Sequence, residues 1–259
     1  MPKSRNVIIT GASQGIGKAL AYEFARRGDN LLMLARDTDA LKEICQNIYN
    51  SGGLAYYQKC DVTSAEDMKN AIEYAIKIFG TIDLALLNSG VSLGGWFDES
   101  IAEIARKTFE VNYFGVLNGL DAIIPLMKRQ GYGTIAGVSS LSDFRGLPGS
   151  AAYTSSKVAV TYLLEAARIE LKKYGIKIVT IKPGFVKTPM TARHKYKMPF
   201  LWEAEKAAKY IADKLERNKT RISFPLPIKI ITYLVKILPG CIFDKIGFFI
   251  MKETEKNKQ

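Results

Sequence analysis

Short apolar segments and longer amphipathic segments alternate along most of this chain. The apolar runs are rich in branched residues, which is the composition of buried strands. They predict strands at residues 6–10, 31–34, 83–87, 133–139 and 176–182. Helical spacing of apolar residues predicts helices at 18–27, 64–80 and about 100–130. This alternation predicts one α/β domain with a doubly wound parallel sheet, whose ligand crevice lies at the carboxyl ends of the strands.

A glycine-rich turn joins the first predicted strand to the first predicted helix. It contains Gly11, Gly15 and Gly17, and the helix follows at Lys18. Glycine lets the backbone approach a pyrophosphate, while the helix N-terminus offers free N–H groups and the positive end of its dipole. A strand, a glycine turn and a helix in this order predict a phosphate-binding site. The spacing is GxxxGxG, which differs from the GxGxxG of the usual dinucleotide fingerprint.

Tyr153 and Lys157 lie four residues apart, which places both side chains on one face of a helix. A tyrosine hydroxyl loses its proton near pH ~10, and a neighbouring ammonium lowers that pKa because it favours the phenolate. The pair is therefore a candidate general acid–base. Taken alone, the spacing also fits an ordinary helix with one buried aromatic and one solvated lysine.

Seven motifs in order resemble the classical branch of the short-chain dehydrogenase/reductase family. Its Thr-Gly-x-x-x-Gly-x-Gly pattern is matched at residues 10–17, and its Asp after the third strand by Asp61. Its Asn-Asn-Ala-Gly segment corresponds to Leu87-Asn88-Ser89-Gly90, where Leu replaces one Asn and Ser replaces Ala. The other motifs are matched by Asn112, Ser140, Tyr153, Lys157 and Pro183-Gly184. The resemblance covers roughly residues 5–190 and implies a Rossmann-like, three-layer α/β/α fold.

The resemblance implies hydride transfer with four catalytic residues. Ser140, thirteen residues before Tyr153 and so preferred over Ser139, would orient the substrate oxygen. Tyr153 would donate its proton during reduction and accept one during oxidation. Lys157 would lower the pKa of Tyr153 and hold the nicotinamide ribose. Asn112 would break the regularity of its helix and hold a water that relays protons toward Lys157, unless it is a plain polar residue of a long helix.

The resemblance also implies the cofactor NADP(H). Arg36 lies twenty-five residues after Gly11, where NADP-dependent members carry an arginine for the 2′-phosphate, unless it is a mere surface charge. Asp37 follows it and could compete as a ribose acceptor. Asp61 would contact the adenine or simply form a turn, and Thr188 would contact the nicotinamide carboxamide. The implied cofactor-binding residues are Gly11, Ser13, Gln14, Gly15, Ile16, Gly17, Arg36, Asp61, Val62, Asn88, Gly90, Tyr153, Lys157, Pro183, Gly184, Val186 and Thr188.

We expect the catalytic domain to span residues 1–224, with a variable substrate lid at about 188–218 and an apolar, basic extension at 225–259. Aromatic residues and methionine in the lid favour an apolar or amphiphilic substrate, unless they simply pack against the domain. They are Met190, His194, Tyr196, Met198, Phe200 and Trp202.

The composition, 47% apolar and 24% charged, is typical of a soluble globular protein. The N-terminal residues contain no apolar segment of the length that a secretory signal needs, so we expect no such signal. Three scattered cysteines predict reduced thiols in the cytoplasm. The single histidine, His194, cannot by itself build a zinc site or a serine-protease triad, so no metal is expected.

Of the net charge of +12, most lies from Lys182 onward, where seventeen residues are basic and seven acidic. No recognition element for nucleic acid accompanies that charge, which leaves an anionic lipid, an anionic substrate or a solvated basic face.

The extension contains two apolar segments, at 228–238 and 241–251. Lys229, Thr232 and Lys236 recur at three- and four-residue steps, which predicts an amphipathic helix for the first segment. Charged residues and the intervening Pro-Gly argue against a membrane span. Two alternatives remain open for residues 225–251. They form either an interfacial anchor on an anionic membrane, or a hairpin that caps the substrate pocket or packs on a partner subunit.

A homodimer or homotetramer is expected from the resemblance, through helices at about 100–130 and 150–174. Apolar positions near one stripe support this, unless they face the sheet; they are Val160, Leu163, Leu164 and Ala167. The expected function is that of an NADP(H)-dependent oxidoreductase interconverting a carbonyl and a secondary alcohol, cytoplasmic and either free or peripheral on a membrane. The alternatives are a non-catalytic NADPH-binding sensor and a membrane-associated scaffold.

Overall fold

A seven-stranded parallel sheet forms the centre of the molecule, in the order β3-β2-β1-β4-β5-β6-β7. The structure is a computed structural model that describes residues 4–97, 100–193 and 198–256. The strands are β1 Asn6–Thr10, β2 Asn30–Ala35, β3 Ala55–Lys59, β4 Leu84–Leu87, β5 Gly133–Val138, β6 Ile176–Pro183 and β7 Arg221–Phe224. The helices are α1 Gly15–Arg26, α2 Thr38–Asn50, α3 Ala65–Phe79, α4 Ile101–Phe109, α5 Gly115–Gln130, α6 Ala151–Glu170, α7 Ala204–Glu216, α8 Leu226–Lys236 and α9 Gly240–Lys256.

Helices cover both faces of the sheet because alternate residues of each buried strand point to opposite sides. Val7 and Ile9 of β1 pack with α1, α2 and α7, whereas Ile8 packs with α3, α5 and α6. β1 pairs with β2 on one side and with β4 on the other, so the strand order reverses between β1 and β4. The structure therefore confirms the predicted single-domain, doubly wound, three-layer α/β/α fold.

The predicted strand bounds agree with the observed ones to within one or two residues, but β7 was missed. The predicted lid at 188–218 is also wrong over its second half, because residues 204–216 form the core helix α7. Every residue of its inner face is buried against the sheet and α1: Ala204, Ala207, Ala208, Ile211, Ala212 and Leu215. Trp202 packs between Tyr210 and Phe224, with ring centroids 5.5 and 5.0 Å away, so its aromatic ring belongs to this core. His194 and Tyr196 of the expected lid lie outside the described residues.

The apolar positions that were expected to support an oligomer face the sheet instead. Val160 and Leu164 of α6 are fully buried, and Leu163 and Ala167 pack against the same core. The side of α6 that water reaches carries Tyr162 and Ile169. The stripe at Val160 and Leu164 therefore stabilises the domain and gives no support for an oligomer.

The extension forms two helices, α8 and α9, as its apolar segments predict. The polarity of α8 differs from the prediction, because Thr232 is buried beside Ile228 while Lys229 and Lys236 are exposed. No helix among the described residues is both long and apolar enough to cross a membrane.

Candidate active site

A crevice of about 380 Å³ opens at the carboxyl ends of the strands, where the strand order reverses. Its wall includes Ser140, Tyr153 and Lys157 together with all but one of the predicted cofactor residues. Gly17 and Asn112 lie behind the wall rather than in it. The sequence did not single out several other residues of the wall, among them Cys60, Val91, Val111, Val138 and Thr191.

The glycine turn between β1 and α1 is built for close packing of backbone on backbone. Gly11 has a φ of +64°, a conformation that favours glycine. A Cβ at Gly17 would overlap the carbonyl oxygen of Gly11, so only glycine fits there without a backbone shift. The N-terminus of α1 faces the crevice through Gly15 and Ile16, where free N–H groups can meet a phosphate. The turn therefore fits the pyrophosphate of a dinucleotide.

The side chain of Asn88 holds this turn in place. Its Nδ2 donates to the carbonyl oxygens of Thr10 at 3.1 Å and Gly11 at 3.3 Å. In return, Thr10 Oγ1 accepts from the backbone N–H groups of Asn88 at 2.9 Å and Ser89 at 3.1 Å. The ends of β1 and β4 are thus joined, so Asn88 shapes the cofactor cradle by positioning the glycine turn.

Lys157 enters the crevice from α6 and is almost completely buried. Its Nζ donates to the Val138 carbonyl oxygen at 2.9 Å and lies 5.8 Å from the centre of the Tyr153 ring. Burial lowers the pKa of Lys157 to about 8, because desolvation disfavours the ammonium. The amine therefore remains largely protonated at neutral pH, close enough to favour a Tyr153 phenolate.

Ser139 and Ser140 both touch the crevice, but their hydroxyls have different partners. Ser139 Oγ donates to the Lys157 carbonyl at 2.9 Å and lies 2.8 Å from Thr161 Oγ1. Ser140 Oγ instead accepts from the backbone N–H of Ser142 at 3.1 Å and from its hydroxyl at 2.9 Å. Because Ser140 acts as an acceptor in both bonds, its own hydrogen is available to a ligand. The geometry favours Ser140 over Ser139 as the hydroxyl that orients a substrate.

Asn112 lies in a single π-helical turn, Glu110–Phe114, that interrupts the long helix predicted at 100–130. Its side chain is buried and bonded to two parts of the site. Oδ1 accepts from the Val91 N–H at 2.7 Å, while Nδ2 donates to the Val91 carbonyl and to Ser156 Oγ, both at 2.9 Å. Both side-chain hydrogens are thus committed to the protein. Asn112 fixes the chain after Gly90 next to α6, and a relayed water would have to use other atoms of this turn.

Arg36 and Asp37 follow the end of β2, and their side chains differ in how firmly hydrogen bonds hold them to the protein. The Arg36 side chain is 69% exposed, and its nearest acidic partner is Asp61 at 3.9 Å. Asp37 caps α2, with Oδ1 accepting from the Ala40 N–H at 3.0 Å. Asp61 accepts from the N–H and hydroxyl of Thr63, so it also forms a turn. Arg36 is therefore the side chain at this end that can turn toward a ligand without losing a helix cap.

A partly buried ionic pair that includes Asp143, three residues after Ser140, was not found by sequence reasoning. Asp143 accepts from Lys182 Nζ and from Thr161 Oγ1, each at 2.6 Å. Thr161 in turn contacts Ser139 at 2.8 Å, so the network joins β6, α6 and the segment after β5. No motif marks Asp143, because its two partners lie far along the chain.

Comparison with known proteins identifies the family. The family model for short chain dehydrogenase matches residues 5–198. The chain belongs to the short-chain dehydrogenase family. An uncharacterised oxidoreductase of Myxococcus xanthus (strain DK1622) is 34% identical over 242 residues, which cover 93% of this chain and 95% of the relative.

Two solved structures share the fold of this short-chain dehydrogenase. A short chain dehydrogenase/reductase from Burkholderia phymatum, in complex with NAD, superposes with a TM-score of 0.82 at 23% identity, covering 90% of this chain and 92% of the other. An alcohol dehydrogenase from the archaeon Thermococcus sibiricus, complexed with 5-hydroxy-NADP, gives 0.78 at 26% identity, covering 86% and 95%. The chain described here is thus an oxidoreductase of the short-chain dehydrogenase family.

Proposed function

We propose that this short-chain dehydrogenase interconverts a carbonyl and a secondary alcohol with NADP(H), and that Tyr153 is its general acid–base. The observation that carries the proposal is that Ser140, Tyr153 and Lys157 lie in the wall of one crevice, which also contains the glycine turn. The bound cofactor supplies or accepts the hydride. The chain's own residues position the substrate oxygen and move its proton.

Ser140 donates its free hydrogen to the substrate oxygen and holds it beside Tyr153. During reduction the phenol of Tyr153 gives its proton to that oxygen, and during oxidation the phenolate takes one from the alcohol. Lys157 stays charged at neutral pH because its lowered pKa is still about 8. Its ammonium stabilises the phenolate in either direction of the reaction.

Arg36 supports NADP(H) as the preferred cofactor. Its guanidinium is exposed at the rim of the crevice and matches a phosphate in charge and geometry. Asp37, the competing ribose acceptor, already accepts the N–H of Ala40 as the cap of α2. An arginine that is free to move and an aspartate that is held in a cap favour the 2′-phosphate over the 2′-hydroxyl.

The substrate we propose is apolar or amphiphilic. Val91, Val111, Pro189 and Met190 contribute apolar surface to the crevice. Such a wall accepts a hydrocarbon body, while Ser140 and Tyr153 bind the single oxygen that reacts. A panel of carbonyl compounds of increasing chain length, screened by NADPH oxidation, tests this preference. Activity confined to short polar sugars would contradict it.

We also propose that the enzyme is a homodimer or homotetramer, formed through the helical regions at about 100–130 and 150–174. Apolar side chains exposed there support it, namely Phe114, Tyr162 and Ile169. Burying them against a second copy would remove them from water. A scattering mass close to that of the 28.8 kDa chain would rule the oligomer out.

Tyr153→Phe is the decisive test of the reaction. The substitution removes only the phenolic hydroxyl, so we expect turnover to fall by about a thousandfold or more while NADPH affinity changes little. Turnover near that of the wild type would place the acid–base elsewhere. NADPH binding with no turnover of any substrate in the wild type would instead favour a cofactor-binding sensor.

A further inference from the structure

The helices α8 and α9, which we call the C-terminal helix pair, present apolar side chains to water. On α8 and its C-cap residue, five of them lie three or four positions apart, apart from one adjacent pair, so they form one stripe along the helix. They are Leu226, Ile230, Tyr233, Leu234 and Ile237, with between 51% and 67% of each residue exposed. Ile228 and Thr232 occupy the opposite face and are buried. α8 is therefore apolar toward the domain and apolar again toward solvent.

α9 repeats this arrangement. Ile242, Ile246 and Phe249 recur at steps of four and three and are also exposed. We call these three residues and the five on α8 the outer stripes. Together with Ile231 and Phe248, which lie outside the stripes, ten large apolar residues are exposed on the segment 226–256. That number is unusual for the surface of a monomer and indicates an interaction surface.

Lysines border the outer stripes. Lys229 and Lys236 lie between the stripe of α8 and its buried face, and Lys245 lies beside the stripe of α9; all three are exposed. Asp244 is the one acidic residue between positions 226 and 251 of the sequence. A lysine stem can lie along an apolar surface while its ammonium reaches outward to a phosphate. An apolar stripe with a cationic border matches the boundary between the acyl chains and headgroups of an anionic bilayer.

The C-terminal helix pair contacts the crevice wall at one point and the segment after Ser140 at another. Gly184, in the crevice wall, is so close to Pro225 and Ile228 that a Cβ there would lie 2.9 Å from Pro225 Cδ and 3.5 Å from Ile228 Cγ2. Arg145, in the segment between Ser140 and α6, donates to the carbonyl oxygens of Lys236 and Leu238 at the end of α8.

The guanidinium of Arg145 also lies 4.9 Å from the centre of the Phe243 ring on α9. One side chain therefore ties both α8 and α9 to the segment that follows Ser140. A surface bound to the C-terminal helix pair would lie next to the crevice.

We propose that the C-terminal helix pair docks this enzyme onto an anionic membrane surface through its outer stripes. A second copy of the chain suits the surface less well, because a symmetric contact would place the bordering lysines of one copy against those of the other. The proposal goes beyond the reaction and does not require it.

Cosedimentation with vesicles tests the docking. The probes are vesicles of phosphatidylglycerol and phosphatidylcholine in equal parts, and vesicles of phosphatidylcholine alone. We expect the full-length protein to sediment with the anionic vesicles, at least about tenfold less with the neutral ones, and less as salt rises. No sedimentation with anionic vesicles would overturn the proposal.

Two double variants identify the surface. Ile230→Gln with Leu234→Gln should lower vesicle binding by about tenfold or more, and Lys229→Gln with Lys236→Gln should weaken it and its salt dependence. Tyr49→Gln and Lys69→Gln with Lys77→Gln are matched controls at exposed positions elsewhere, and they should bind as the wild type does. Thermal unfolding of all variants should stay unchanged because these side chains are exposed.

Equal vesicle binding by the Ile230/Leu234 variant and the wild type would overturn the assignment of the surface. A fall in solution mass in that variant, without vesicle binding by the wild type, would assign the stripes to a second copy. Turnover of a water-soluble ketone, measured without vesicles, separates the two proposals. If turnover occurs and vesicle binding does not, the docking alone fails; with vesicle binding and no turnover, the proposed reaction alone fails.

Discussion

Asn112 pairs with the backbone of Val91 as a neighbouring strand would, accepting its N–H at 2.7 Å and donating to its carbonyl at 2.9 Å. Its second amide hydrogen reaches Ser156 on α6. A side chain on a π-helical turn thus holds the loop after β4 against the helix that carries Tyr153 and Lys157. Asn112 therefore holds the parts of the site in position relative to one another, and this role is separate from proton transfer.

Asn112→Ala should destabilise the fold by roughly 2–4 kcal/mol, because it removes the partners of the partly buried Val91 backbone and of the buried Ser156 hydroxyl. Urea unfolding measures this. Asn118→Ala serves as the comparison variant. It removes one hydrogen bond, to the Val62 carbonyl, whereas Asn112→Ala removes three. Its expected cost is about 1 kcal/mol. An equal loss of unfolding free energy in the two variants would contradict the role of Asn112 in holding Val91.

Arg36→Ala should weaken NADPH binding by about tenfold and leave NADH binding nearly unchanged, because the lost contact is to the 2′-phosphate and its charges are partly screened by water. Fluorescence titration of both cofactors measures the discrimination. Arg129→Ala, at an exposed position of α5, controls for net charge. The same NADPH preference in Arg36→Ala and the wild type would defeat the assignment.

Asp37→Ser provides a second test at the same site. Serine is also a good helix N-cap, so the fold should keep its stability, and we expect neither cofactor to lose affinity. A selective loss of NADH affinity, measured by the same titration, would mean that Asp37 binds a ribose hydroxyl in spite of its cap.

Lys157→Met should stabilise the cofactor-free protein at pH 7 by about 2 kcal/mol while abolishing turnover. Burial holds the pKa of Lys157 at about 8 in the folded chain, against ~10.4 when unfolded. Between these values the unfolded chain binds a proton that the folded chain does not, so the stability of the wild type rises with pH across that window. The advantage of the variant should therefore be largest below pH 8 and fade toward pH 10.4.

Denaturant unfolding across that pH range, with Lys69→Met as an exposed control, measures the effect. A stability gain that did not change with pH would mean that the buried charge is not its source.

The sequence predicted those features that depend on local order along the chain. Strands such as 6–10 and 176–182 were recognised by short segments rich in branched apolar residues, and the glycine turn by its position between a strand and a helix. Pairings between distant segments were not predictable in this way. Asp143 meets Lys182 and Thr161 only after three elements have packed together.

Periodicity also left the direction of a helical face undecided. Val160 and Leu164 had the spacing of an interface stripe, but they face the sheet. Thr232 had the spacing of a polar face, but it packs inward while apolar neighbours face water. Alanines at helical spacing in residues 204–212 indicate a buried helical face in the sequence itself. The resemblance assigned that segment to a lid instead.

The position of β1 between the two halves of the core affects how the molecule opens. Ile8 belongs to one face of the sheet, and Val7 and Ile9 to the other. If the helices on either face detach, β1 still keeps its hydrogen bonds to β2 and β4 and half of its packing. Partial opening therefore leaves the amide hydrogens of β1 protected, and they should exchange with solvent only when the whole domain unfolds. Thr10, which anchors the cofactor cradle, ends this strand, so the cradle is attached to the most persistent part of the molecule.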